Sequence, residues 1–185
     1  MTVTNNAVQS SKNLNMDYTS HYLSPLGKIT MASNGEALIG LWFDGQKHFA
    51  ATLTNDTSED YDLPIFEQTR KWLNLYFSGE CPDFIPPLAP QGTPFQQKVW
   101  ELLLAIPYGK KITYGEIARR FVETFPETSL PKQHMSAQAV GGAVGRNPIS
   151  LIIPCHRVIG ANGSLTGYAG GLERKKFLLE LEQGL

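Results

Sequence analysis

The sequence predicts an α/β protein of the α+β kind, in two domains: an N-terminal antiparallel sheet with one helix, then a mainly helical domain carrying a helix-turn-helix. Three observations lead there. Short apolar runs divided by turn signals fill the first half, prolines crowd the middle, and helix-start signals recur in the second half.

The sheet comes from Asp17 to Leu23, Lys28 to Ala32 and Ala37 to Phe43, separated by Ser24-Pro25-Leu26-Gly27 and Ser33-Asn34-Gly35. Runs of this length between turn residues read as an antiparallel meander, and Asn34-Gly35 tolerates the positive φ of a tight hairpin. From Pro64 to Phe77, Ile65, Trp72, Leu73, Tyr76 and Phe77 keep helical spacing, which predicts a helix packed on that meander. Pro82 to Pro94 holds five prolines and one glycine and reads as a linker, with the domain boundary near Gly92. The expected division is a leader over residues 1–15, a first domain over 16–91 and a second over 92–185. The leader is polar and reads as disordered.

In the second half, Thr93 is placed as an N-cap, with Pro94 at the first helical position and Gln96 at the third, and the helix runs to about Ala105. Pro107-Tyr108-Gly109 breaks it. Thr113 and Glu116 form a second capping box, stapled by Ile112 and Ile117, for a helix ending near Phe121. Ser136 caps a third helix, Ala137 to about Gly145, made almost wholly of Ala, Gly and Val. Glycine inside a helix costs about 0.5–1 kcal/mol relative to alanine, so Gly141 and Gly142 imply a close approach to this backbone. That approach is either another helix or a groove. Two short helices joined by a turn, the second followed by Arg146, match a helix-turn-helix.

No apolar run nears the roughly 20 residues of a membrane helix, so no membrane partner is expected. The only cysteines, Cys81 and Cys155, lack Cys-x-x-Cys spacing and fit free thiols in a reducing cytoplasm. The net charge of -1 conceals an asymmetry: residues 1–92 carry five Lys and Arg against ten Asp and Glu, residues 93–185 eleven against seven. The basic half suits phosphate contact or ordinary solubility.

Ile149 to Ile153, between Pro148 and Pro154, reads as a buried strand-like segment that delivers Cys155. His156 and Arg157 beside it are expected to lower the thiol pKa, whereas Cys81 lies among Glu80 and Asp83. The competing reading is a small buried hydrophobe. His156 can serve as base only through a turn or a water, since neighbours on an extended chain point apart. Spacing does not choose among Glu173, Glu180 and Glu182 as its orienting carboxylate.

The run Gly92 to Leu185 nevertheless resembles a known family. Gly92-Thr93-Pro94-Phe95-Gln96, Ile106-Pro107-Tyr108-Gly109, Thr113-Tyr114-Gly115-Glu116, Ala139-Val140-Gly141-Gly142-Ala143, Asn147-Pro148, Pro154-Cys155-His156-Arg157-Val158 and Gly167-Tyr168-Ala169-Gly170-Gly171 closely resemble the O6-alkylguanine-DNA alkyltransferases. The first half resembles that family's ribonuclease-H-like domain in outline, and the second its winged-helix-like, DNA-binding domain.

The resemblance implies irreversible transfer of an alkyl group from O6-alkylguanine in double-stranded DNA to Cys155, with O4-alkylthymine as a second candidate substrate. His156 would act through a water, Glu182 orient it and Asn147 order the network. Tyr114 would rotate the 3′ phosphate to flip the nucleotide out, as a thiol cannot reach O6 inside a stacked duplex. Val158 and Tyr168, with Ala169 and Pro148, would form the guanine pocket. The small helix, through Gln138, Ala139 and Gly141, would enter the minor groove, with Arg146 and Arg157 also at the DNA.

Gln138 departs from the family's usual arginine, which predicts weaker support for flipping, with Lys132 or His134 of the preceding loop as candidate substitutes and a merely solvated side chain as the favoured reading of His134. The family's occasional zinc site has no counterpart, since His21 and His48 lack cysteines. No metal and no cofactor are expected, and the protein is expected to work as a monomer. Two rivals follow from the same residues: a module that only binds alkylated DNA, which Cys155 argues against, and a cysteine hydrolase, which the helix-turn-helix argues against.

Overall fold

The computed structural model describes residues 16–53, 56–126 and 135–185. The polar leader, Lys132 and His134 lie outside them.

The first half folds as β1 (Met16–Ser24), β2 (Gly27–Ser33), β3 (Leu38–Phe43), β4 (Asp56–Glu59) and α1 (Pro64–Phe77). β1 to β3 form the expected antiparallel meander, in sheet order β3-β2-β1-β4. β4 is an addition. It pairs parallel with β1 and makes the sheet mixed, and its Asp-Thr-Ser-Glu sequence has no apolar alternation to announce it. α1 has the expected bounds and buries Ile65, Phe66, Thr69, Trp72, Leu73 and Tyr76.

All six residues of β3 are buried, as in a strand covered on both faces. Gly40 is required there, because the Trp42 indole occupies the space a Cβ would take. The edge of β3 is also covered. Leu38 N donates to Pro87 O (2.8 Å) and Ala89 N to Leu38 O (2.8 Å), so the proline-rich stretch lies along the strand. Further along, Leu41 N donates to Pro148 O (2.9 Å) and Ser150 N to Leu41 O (2.8 Å). An edge strand that would otherwise invite a foreign chain thus holds the segment leading to Cys155.

The second half contains α2 (Pro94–Leu104), β5 (Ile112–Thr113), α3 (Tyr114–Thr124), α4 (Ala137–Gly145), β6 (Val158–Ile159) and α5 (Leu172–Leu181). Both capping boxes form: Thr93 with Gln96, and Thr113 with Glu116, whose carboxyl the Thr113 hydrogen bonds hold below the usual range. α3 runs one turn beyond the expected end, with Phe121 stacking edge-on against Phe125 at 5.2 Å. Ser136 caps α4 through Ala139 N at 3.1 Å. α4 packs Val140, Ala143 and Val144 inward, and Trp100 Nε1 of α2 donates to Ala143 O (2.9 Å).

The glycines of α4 do not serve that packing. A Cβ at Gly142 or Gly145 would meet nothing within 4 Å, and one at Gly141 would only reach the Tyr114 ring at 3.8 Å. Of the two explanations left open by the sequence, a helix neighbour is excluded at Gly142. The small side chains bare the backbone on the outer face.

Candidate active site

The strand-like segment expected over Ile149 to Ile153 is instead a buried turn. Ile153 N donates to Ile149 O (3.1 Å), and Leu151 sits in the left-handed region at φ 69°. Cys155, His156 and Arg157 follow as one turn of 3-10 helix, all buried. The turn matters because it removes the opposite-face geometry of an extended chain.

Asn147 fastens the loop. Its Nδ2 donates to Ile153 O (2.8 Å), Ile149 O (3.2 Å) and Cys155 Sγ (3.1 Å), and its Oδ1 accepts from Ile149 N (3.0 Å). The Cys155 side chain is only 3 % exposed. Burial pushes its thiol pKa up, against the hydrogen bond from Asn147, the Lys175 charge and the amides of residues 155 and 156. This corrects the expectation of a thiol acidified by its sequence neighbours. Burial keeps His156 from holding a proton, and Arg157 is turned elsewhere.

Of the three candidate carboxylates, Glu182 is the one in the site. Glu173 is exposed, and Glu180 is paired with Lys176 at the surface. Glu182, following α5, accepts from His156 Nε2 (2.6 Å), Tyr76 Oη (2.8 Å), Arg157 Nε (2.9 Å) and Gly109 N (3.0 Å). Burial alone would raise its pKa, but the bonds and charges of His156 and Arg157 outweigh that and hold it at about 2. An ionised carboxylate on Nε2 fixes the proton of a neutral imidazole there. Nδ1 is left as the lone-pair nitrogen, and it is buried with no hydrogen-bond partner among the described residues.

Arg157 does not face outward as expected of a DNA contact. It is 8 % exposed, grips both oxygens of Glu182 and donates through Nη1 to Ile106 O (2.6 Å). A guanidinium buried on a carboxylate neutralises it and locks the turn to α5. Two members of the network were not foreseen. Tyr76 enters from α1, where its spacing reads as core, although a buried tyrosine hydroxyl needs a partner. Lys175, on the inner face of α5, donates to Val158 O and to Thr166 O (2.7 Å), and burial lowers its pKa to about 8.

A cavity of about 630 Å³ opens beside these residues, lined by Gly141, Gly142, Gly145 and Arg146 on one side and Thr166 to Ala169 on another. Tyr168 and Ala169 line this cavity, and Val158 is linked to Thr166 of its wall through Lys175. Pro148 is not. It is buried, hydrogen bonded to β3, and borders a separate small cavity with Trp42 and Trp100. Tyr114, at the start of α3, is partly buried and donates to Thr166 O (3.0 Å). Gly167, at φ 70°, has room for no side chain because that hydroxyl would lie 2.5 Å from its Cβ. Gln138 and Arg146 are exposed and Ala139 partly so, on the open flank of α4. Among the described residues no group of three His, Cys, Asp or Glu could hold a metal ion, and no helix is long and apolar enough to cross a membrane.

Fold and site together define a class: a protein with a mixed sheet and a helical half, and at its centre a buried cysteine and histidine on one turn with a carboxylate bonded to the histidine. Comparison with known proteins then gives the family. Residues 94–184 match the family described as 6-O-methylguanine DNA methyltransferase, DNA binding domain, and residues 18–90 match its ribonuclease-like domain. A methylated-DNA--protein-cysteine methyltransferase of Haemophilus influenzae is 42% identical over 90% of this chain and 86% of its own. One from Methanosarcina mazei is 47% identical over 86% and 93%. Among solved structures, Mycobacterium tuberculosis OGT in complex with DNA superposes with a TM-score of 0.74 at 42% identity, over 91% of this chain and 93% of that one. The chain belongs to the 6-O-methylguanine DNA methyltransferase family.

Proposed function

We propose that this protein repairs DNA by moving the alkyl group of O6-alkylguanine onto Cys155, once per molecule. The observation that carries the reading is the buried set Cys155 and His156 on one turn, with Glu182 bonded to His156, in a protein whose α4 has a bare backbone face. His156 Nδ1 takes the Cys155 proton through a bridging water, while Glu182 holds Nε2–H in place. The thiolate, steadied by Asn147 and two backbone amides, attacks the alkyl carbon. A carbon–sulfur bond forms, the carbon–O6 bond breaks with its electron pair left on guanine, and the guanine takes up a proton. Freeing the sulfur again would require a thiolate to leave from a stable thioether, so the protein is consumed. The raised thiol pKa suits this order of events, because a buried thiolate is weakly solvated when it forms.

The base reaches the cavity by flipping, with Tyr114 turning the backbone, Gln138 taking the vacated place, and Tyr168 and Ala169 lining the pocket. α4 lies in the minor groove, with Ala139, Gly141 and Arg146 against the duplex. The two domains divide near Gly92. The protein works as a monomer, and its two free thiols suit a reducing cytoplasm.

Gly142→Leu tests the docking of α4. The side chain has open space, and replacing a helical glycine adds about 0.5–1 kcal/mol of stability. The variant is expected to melt at or above the wild-type temperature yet bind alkylated duplex at least tenfold more weakly by fluorescence anisotropy. Wild-type affinity in the stable variant would remove α4 from the interface.

A further inference from the structure

The geometry points to a second DNA-contacting wall, supplied by the first domain: the loop after β3, through Lys47, binds a backbone phosphate of the duplex that α4 engages. This rests on the DNA-repair reading above and adds a contact from the domain outside the helix-turn-helix.

The cavity of about 630 Å³ is lined from across the domain boundary by Lys47 and His48 as well as by Gly141, Gly142, Gly145 and Arg146 of α4 and its end. Both side chains are exposed. They stand in the acidic half of the chain, where residues 1–92 have only five Lys and Arg against ten Asp and Glu, so a lysine at this mouth is against the local charge balance.

The loop is also built to hold its position. Gln46 is buried, and its Oε1 accepts from Phe43 N (2.9 Å) and from Ser150 Oγ (3.1 Å) of the turn before Cys155. Lys47 N donates to Ala169 O (3.0 Å) on the pocket wall. His48 and Ala50 adopt left-handed backbone at φ 61° and 52°, a conformation side-chain-bearing residues avoid unless held there. A loop anchored to both the Cys155 turn and the pocket wall keeps its lysine at the cavity mouth, facing whatever strand α4 receives. The partner with the matching chemistry is a phosphodiester.

Lys47→Ala keeps the backbone bond to Ala169, so it removes the charge alone. Single-turnover methyl transfer and anisotropy with an O6-methylguanine duplex across a salt series would measure it, beside Lys28→Ala as a control of equal net charge on an exposed residue that does not line this cavity. Expected for Lys47→Ala are a Kd raised about 3–10-fold at low salt and a salt slope smaller by about one, with the effect on affinity rather than on the rate at saturating DNA. Lys47→Arg should restore both. An unchanged Kd and slope, or a loss matched by Lys28→Ala, overturns the contact. A slower saturated rate with wild-type affinity also overturns it, since Lys47 would then act through the pocket wall. A wild-type protein that neither binds the duplex nor accepts a methyl group would instead refute the repair reading itself.

Discussion

Cys155→Ala is expected to fold, to bind alkylated duplex DNA with near wild-type affinity, and to take up no alkyl group at all. The substitution removes one sulfur from a 3 % exposed site, which costs about 1–2 kcal/mol in lost packing. Asn147 keeps its bonds to Ile149 and Ile153, so the turn survives. The contacts assigned to DNA lie on α4 and the cavity mouth, away from the sulfur. The remaining thiol, Cys81, is exposed, with its Sγ against the Pro82 carbonyl. Radiolabelled methyl transfer and anisotropy on one preparation measure both halves of this outcome. Uptake by the variant would move the acceptor away from Cys155.

Glu182→Gln is expected to lose both stability and rate. A neutral amide has one oxygen where the carboxylate has two, and it turns an NH2 toward groups that donate already. Arg157 would be left charged, buried and uncompensated, a loss of about 3–5 kcal/mol, or roughly 10 °C of Tm for a chain of this size. His156 would lose the partner that fixes its tautomer, and transfer should slow by about 10²-fold or more. Wild-type protein offers a parallel test through pH. Glu182 has a folded pKa of about 2, below its ordinary 4.5, so its stabilisation is present above pH 4.5 and lost as pH falls toward 2. His156, whose pKa is also lowered, adds a loss that begins as pH falls through the ordinary 6.5. Cys155, with its pKa raised, contributes a fall as pH rises above 9.0, whereas Lys175, lowered to about 8 from 10.5, contributes a rise over the same range. Thermal melts from pH 3 to 8 should therefore show stability lost toward acid, and a Glu182→Gln protein should lose that acid branch below pH 4.5. A variant with wild-type Tm and rate would show that the network is not what holds the turn.

What could be read from the sequence divides by range. α1, α2 and α4 were legible nearly to the residue because capping boxes, N1 prolines and apolar spacing are local signals. β4 was not, since its polar residues show no apolar alternation, and α5 was not, since it starts at Gly171 without a side-chain cap and leaves Leu172 and Phe177 half exposed. The same division runs through the site. Cys155 and His156 were legible from their own segment, Glu182 was chosen from three carboxylates and Asn147 added through a resemblance, and the fold bonds Asn147 to Cys155 and Glu182 to His156. The roles of Arg157, Tyr76 and Lys175 depend on partners 25, 106 and 17 positions away, which no local pattern encodes. The thiol shows the point most clearly. Adjacent cations in sequence suggested an acidified cysteine, whereas in space one cation belongs to Glu182 and burial dominates the sulfur.

The central claim is that Cys155 is a single-use acceptor. Intact-mass spectrometry of the wild-type protein after incubation with excess O6-methylguanine duplex, followed by peptide mapping, tests it most directly. The expected result is one added methyl group per chain, located on Cys155, with one guanine restored per protein molecule and no further reaction. Restoration of guanine beyond one equivalent, or a methyl group found on Cys81 rather than Cys155, would contradict it.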